Sequence, residues 1–268
     1  IPDNVSVFGS SAFSECVNLT SVAIPKSMAH IANGAFYGCS NMTSVTIPEG
    51  VTTIEHNAFH LCNLLSLSLP QSLTTIAGGG SYRGAFADNK NLSVVVIPDN
   101  VTSIGYEAFS GCTSLKTIVF GANVTTLDRG VLRGCTSLTE VSLPKKLTII
   151  PHSCFVNCPA LSKVILPEGL TTIQSYAFEK CSSLQTIQLP STIRVMTQAF
   201  AGCTGLVEIE IPEGVSILDN TFMDCPNLSK VTLPSSLTTI GTQAFYGCSN
   251  LVSLHIPSGV TNIGSSAF

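Results

Sequence analysis

The sequence has no tryptophan, only 10% charged residues, and no run of lysine or arginine. An average soluble domain carries about 25% charge. With a net charge of −4 and no basic stripe, the chain lacks the electrostatic footprint that binds phosphate backbones, so nucleic acid is excluded as a partner. No apolar run approaches the roughly 18 residues of a membrane span, which excludes direct insertion of a helix of this chain. No signal peptide, lipobox-like start or sorting tail is present. Asp and Glu are scattered without paired spacing, and no nucleophile, base and orienting group stand together. The chain therefore reads as non-enzymatic, with no cofactor and no metal.

What the sequence does have is a repeat. A proline closing a short apolar run recurs at Pro2, Pro25, Pro48, Pro70, Pro98, Pro144, Pro167, Pro190, Pro212, Pro234 and Pro257, and Gly121 fills the one vacant slot. The steps are 22 or 23 residues, apart from 28 between Pro70 and Pro98. A fixed period of this size specifies a solenoid of stacked units, each touching only its neighbours. Both ends, Ile1 and Phe268, fall inside a unit without the polar cap that solenoids need. Residues 1–268 thus read as a single solenoid of about eleven units, excised from a longer protein.

Within a unit, apolar residues stand six, three and one before the proline, as in Met42, Val45 and Ile47. The last two alternate with polar neighbours, which predicts a strand with one buried face. Proline ends it, because it has no N–H for the ladder. Apolar residues three and six after the proline, such as Val51 and Ile54, predict a second short extended or turn segment. Ala-Phe follows, with Cys three residues after the Phe: Ala35, Phe36 and Cys39, or Ala244, Phe245 and Cys248. That spacing predicts a short helical turn facing inward, and glycine before Cys, as at Gly38 and Gly111, a tight exit from it. The expected fold is an α/β-type repeat solenoid: stacked parallel strands, with a spine of Phe and short helical turns or coil behind.

The pattern L-x-x-h-x-h-P-x-x-h-T-x-I-x-x-x-A-F-x-x-C, carried nearly unaltered by TSVTIPEGVTTIEHNAFHLC and SVVVIPDNVTSIGYEAFSGC, resembles the BspA-like leucine-rich repeats across the whole chain. The Asn that follows the strand in better-known leucine-rich subclasses is absent. The resemblance implies a right-handed arc with one parallel sheet on its concave face. It also implies a surface or secreted protein, adhesion, and a protein or glycan partner. It carries over no catalytic motif.

Ten of the eleven cysteines stand one per unit. Equivalent stacked positions have parallel Cβ vectors, poor geometry for a disulfide, so a column of buried free thiols is expected. Cys154 is the extra one. With His152 and Cys158 it offers three candidate ligands where zinc needs four. Glu55, His56 and His60 lack the zincin order, in which Glu follows the first His, and read as exposed loop residues. The sequons at Asn4, Asn18, Asn41, Asn91, Asn100, Asn123 and Asn227 come largely from the repeat consensus.

Two features point to binding. The 28-residue step holds a five-residue insertion within 77–84, where Tyr82 and Arg83 are of the residue types enriched at interface hot spots. The strand positions four and two before the proline should point outward. There Val94, Val96, Val119 and Ile165 form an apolar stretch, with Thr117 among them and Glu140 beside Lys163. A binding module using this face or the insertion is expected; the alternative is a stiff spacer presenting other domains.

Overall fold

The computed structural model describes residues 1–78 and 83–268, so Tyr82 lies outside the described residues. It is a solenoid of parallel β-strands in two compact units, Ile1–Leu138 and Thr139–Phe268. Each turn holds up to two short strands. In the first unit, the strand before the proline pairs Ser21–Ala23 with Ser44–Thr46, and Val94–Val96 with Thr117–Val119. The strand after the proline builds a five-stranded parallel sheet in chain order, from His30–Ile31 to Thr126–Leu127. The second unit repeats the scheme, with Glu140–Ser142 on Lys163–Ile165 and Glu208–Glu210 on Lys230–Thr232. Its second row includes Ile217–Leu218, Thr239–Ile240 and Asn262–Ile263.

Two expectations are corrected. The single sheet becomes two rows, because the apolar pair after the proline forms its own ladder. The helical turns and the α/β type do not hold: among the described residues there is no helix. The cause lies in the turn around Phe36. Ala35, Tyr37 and Cys39 donate their N–H groups three residues back, to Ala32, Gly34 and Phe36. Gly34, Phe36 and Gly38 instead donate to the next coil, at His56, Ala58 and His60, each at 2.9 Å. An α-helix would send every N–H four residues back along its own chain. The alternation requires left-handed backbone at Gly34 (φ 62°) and Gly38 (φ 68°). Asn57 and Leu61 adopt it without being glycine. For Leu61 that conformation costs roughly 1–2 kcal/mol, offset by its inter-coil bond to Ala87.

The core is a stack. Phe13, Phe36, Phe59, Phe86 and Phe109 lie face to face, with centroids 5.2–5.5 Å apart and planes within 5°. In the second unit Phe155, Phe178, Phe200, Phe222, Phe245 and Phe268 also stack, with centroids 5.2–5.8 Å apart and planes within 16°. Offset aromatic contacts add about 0.5–1.5 kcal/mol per pair beyond area burial. Phe178 is fully buried between two rings. Phe178→Ala is expected to lose about 3–5 kcal/mol in urea unfolding. A loss below 1 kcal/mol would show that the stack collapses around the gap.

Candidate functional site

The outward residues of the first sheet row are exposed as the alternation predicts. In the first unit Val94, Val96 and Val119 are 48%, 55% and 50% exposed. Val94 stands opposite Thr117, and Val96 opposite Val119. Three β-branched apolar side chains thus form one patch on paired strands, where the strand pair nearer the start of the chain presents Ser44 and Thr46. Ile165, 52% exposed, belongs to the second unit and stands opposite Ser142, with Lys163 opposite Glu140. The Lys163–Glu140 pair spans 3.7 Å and Lys230–Glu208 3.2 Å. All four side chains are more than half exposed, so each pair contributes about 0.2–1 kcal/mol at most.

Between the strand pairs of the second unit, Thr186–Gln188 forms no strand. A groove of about 760 Å³ opens beside it, lined by Gln188, Glu208, Glu210, Lys230 and Thr232 among others.

The second surface is the edge formed by the Phe turns of the first unit. Arg83 closes the insertion and donates to Glu107 at 2.5 Å. Arg133 reaches the other carboxylate oxygen of Glu107 at 3.7 Å. The Glu107 side chain is 3% exposed, while the two arginines remain 54% and 52% exposed. The hydrogen bond to Glu107, followed by its charge, holds the Arg83 guanidinium above its usual range. Gly130 leaves room for the Glu107 side chain: a Cβ there would lie 3.0 Å from its Cγ.

Beside this group, His60 is buried, not exposed as the sequence suggested. Its Nε2 lies 3.1 Å from Asp88, and its ring meets Tyr37 edge to face. His60, the residue after Phe59, is walled in by the adjacent coils, which a reading of one coil cannot show. The hydrogen bond from His60 is the main reason the Asp88 carboxyl sits below the usual range.

The cysteines form the expected column. All eleven are free thiols; nine are buried, Cys248 is half-buried and Cys16 is exposed. Each buried Sγ with a resolved partner donates to the carbonyl of the Phe one unit back: Cys62 to Phe36, Cys112 to Phe86, Cys203 to Phe178. Burial pushes Cys62, Cys112 and Cys203 up to about 12. High pKa values mark inert thiols.

Among the described residues no cluster of three or more His, Cys, Asp or Glu could hold a metal, so His152, Cys154 and Cys158 are not gathered into a site. His152 Nδ1 instead contacts the Ser153 hydroxyl at 2.6 Å. The sequon asparagines tie coils together. The Nδ2 atoms of Asn41 and Asn227 donate to Val17 and Thr204, and that of Asn100 to Gln71. Sequence reasoning missed Glu107, Arg133 and Asp88. The available signal was an acid in a column otherwise filled by Gly, Ser, Asn, Gln or Tyr, with arginines one unit before and one after it.

A stack of parallel coils with an inward Phe–Cys column and an exposed strand face defines a leucine-rich-repeat type of β-solenoid. No helix among the described residues is long and apolar enough to cross a membrane. The chain matches the BspA type leucine rich repeat region in six copies over residues 1–83, 80–198 and 192–268, and belongs to that family. It is similar to a leucine-rich repeat protein from Bacteroides ovatus at 28% identity and a TM-score of 0.76, covering 98% of this chain and 79% of that one. At 21% identity the likeness concerns the fold alone. That holds for a leucine-rich repeat protein from Eubacterium ventriosum (TM-score 0.52, 93% of this chain and 82% of that one). It holds too for the pneumococcal vaccine antigen PcpA (TM-score 0.56, 98% and 67%). No curated protein matches this chain.

Proposed function

We propose that the chain is a non-catalytic protein-binding or adhesion module of a cell-surface or secreted protein, docking through the outward face of its first strand row. The observation that carries this is the valine patch. Val94, Val96 and Val119 are each about half exposed where solvated coils present serine and threonine. Apolar side chains gathered in the open on a rigid ladder favour contact with a partner. The residues assigned are Val94, Val96, Thr117 and Val119, with Glu140, Lys163 and Ile165 of the second unit as a separate contact. Membership of the BspA type family, which the sequence resemblance links to surface and secreted proteins, supports that cell-surface or secreted context. The alternative, a spacer presenting other domains, draws support from the continuous Phe stack within each unit.

The test is binding of the purified protein to a panel of extracellular-matrix and mucosal proteins and glycans, beside Val96→Asp/Val119→Asp. Loss of at least tenfold in affinity, with unchanged circular dichroism, is the expected outcome. It corresponds to about 1.4 kcal/mol or more. An absence of binding across the panel would favour the spacer.

A further inference from the structure

We infer that the Phe-turn edge of the first unit is a second docking surface, built to take the carboxylates of an acidic protein segment on Arg83 and Arg133. This rests on the reading of the chain as a protein-binding module and names a partner chemistry for a different face.

The starting point is Glu107. Its coil position lies two residues before the Phe, and other coils fill it with Asn57, Ser153, Gln198 or Asn220. Those side chains bring no charge into the wall of the solenoid. Glu107 brings one and hides it, with its side chain only 3% exposed. Burying a carboxylate carries an effective penalty of several kcal/mol. A neutral residue serves the fold elsewhere at less cost, so fold maintenance alone does not account for the charge.

What the charge does is hold two guanidinium groups. One oxygen takes Arg83, from the coil before, and the other takes Arg133, from the coil after. A single arginine would neutralise the carboxylate; here there are two, and both stay more than half exposed. A guanidinium carries five N–H donors in a rigid fork that matches a carboxylate, and Arg83 spends only one N–H group on Glu107. The forks are oriented from below and open to solvent above.

Asp88 and Asp128 balance part of the arginine charge, so what faces a partner is two exposed guanidinium forks and not a strongly cationic edge. Asp88 is engaged by His60, and Asp128 accepts from the backbone N–H of Arg129. Arg129 is itself exposed, so three of the chain's four arginines lie on this edge. Tyr106 occupies the same column, between Arg83 and Arg129. Arginine and tyrosine side by side are what protein interfaces concentrate, which favours an acidic peptide over a sulfated glycan.

The experiment measures fluorescence anisotropy of a labelled Asp/Glu/Ser heptapeptide with the whole chain. A Lys/Ser heptapeptide and a heparin hexasaccharide are run beside it. The acidic peptide alone should bind, and weaken as salt rises. Arg133→Gln should weaken it at least tenfold, Arg133→Lys by less, and Lys116→Gln, which removes an exposed cation elsewhere, not at all. Because Arg83→Gln leaves Glu107 with one partner, Arg83→Lys stands in if that variant fails to fold. Equal losses in Lys116→Gln and Arg133→Gln would overturn the site, as would heparin binding without peptide binding, or no binding. Loss of the peptide in Val96→Asp/Val119→Asp would also overturn it, by moving the contact to the sheet. Failure here leaves the sheet-face result of the panel untouched.

Discussion

Raised from pH 8 under reducing conditions, the protein is expected to unfold cooperatively, with a midpoint at about pH 10. The cause is the thiol column. Desolvation by burial is the largest influence on every one of these cysteines, pushing Cys62, Cys112 and Cys203 up to about 12 and Cys248 to about 11. An unfolded thiol ionises near 8.5–9. Below that, both states hold the proton and pH has no grip on stability. Above it, the unfolded chain releases protons that the folded chain keeps, so stability falls as pH rises, until the folded values are reached.

Each such thiol removes about 1.4 kcal/mol per pH unit in that window. Four of them remove about 5–6 kcal/mol per unit, comparable with the whole stability of a typical domain. Circular dichroism against pH, with mass-spectrometric mapping of iodoacetamide labels, checks this. At pH 8 only the exposed Cys16 should be labelled promptly, and the buried thiols should label together at the alkaline transition. A fold that persists beyond pH 11.5, or buried thiols labelled at pH 8, would show that the column does not hold its protons as burial requires.

Asn89→Leu is expected to lose about 3–5 kcal/mol in denaturant, far more than its modest change in volume implies. Asn89 sits in the cysteine column, fully buried. Its Nδ2 donates to the carbonyls of Phe59 and Phe86, at 2.8 and 3.0 Å. The first of these is the bond a thiol would make from this position. Its Oδ1 accepts the Leu64 N–H at 3.1 Å, and that bond has a specific origin. In other coils this N–H closes a turn onto the Cys carbonyl three residues back, as Met42 does to Cys39 and Leu115 to Cys112. The third coil is one residue short, with Leu64 only two residues after Cys62. Its turn cannot close, and the next coil supplies the acceptor.

Leucine would strand the Leu64 N–H, at about 1–3 kcal/mol for a buried group left unsatisfied, and remove the shorter of the two bonds at each Phe carbonyl, at about 0.5–1.5 kcal/mol apiece. Asn89→Cys restores the thiol bond but not the Leu64 acceptor, and should fall between the two. Equal stability of all three proteins would mean that water reaches Leu64.

The sequence carried the rows but not the walls between them. Pro, Phe and Cys recur with a period that leaves little choice of architecture, and the outward positions of Val94, Val96 and Val119 followed from alternation alone. The turns were misread because Phe and Cys at i, i+3 suit a helix and an i−3 turn equally. Asn57, Glu107, Asn157 and Gln243 two residues either side of the Phe, all at positive φ, distinguish the two once the coils are superposed. His60 and Glu107 were illegible for another reason. Whether a polar residue on a turn meets water depends on the residues 22–28 positions away, which the single coil does not contain. The exposed strand face was legible as a surface, while the charge cluster at the turn edge emerged only when Arg83, Glu107 and Arg133 came together.

The Leu64–Asn89 bond makes two coils inseparable in descent. Solenoids lengthen when a stretch of gene is copied in whole units, and most units here could be duplicated alone. A copy of the short coil around Leu64, placed before an ordinary cysteine-bearing coil, would have its amide facing a thiol instead of an amide oxygen. The short coil can spread only with the coil that repairs it, and neither change is neutral without the other. A single missing residue has thereby fixed the order in which part of this chain can evolve.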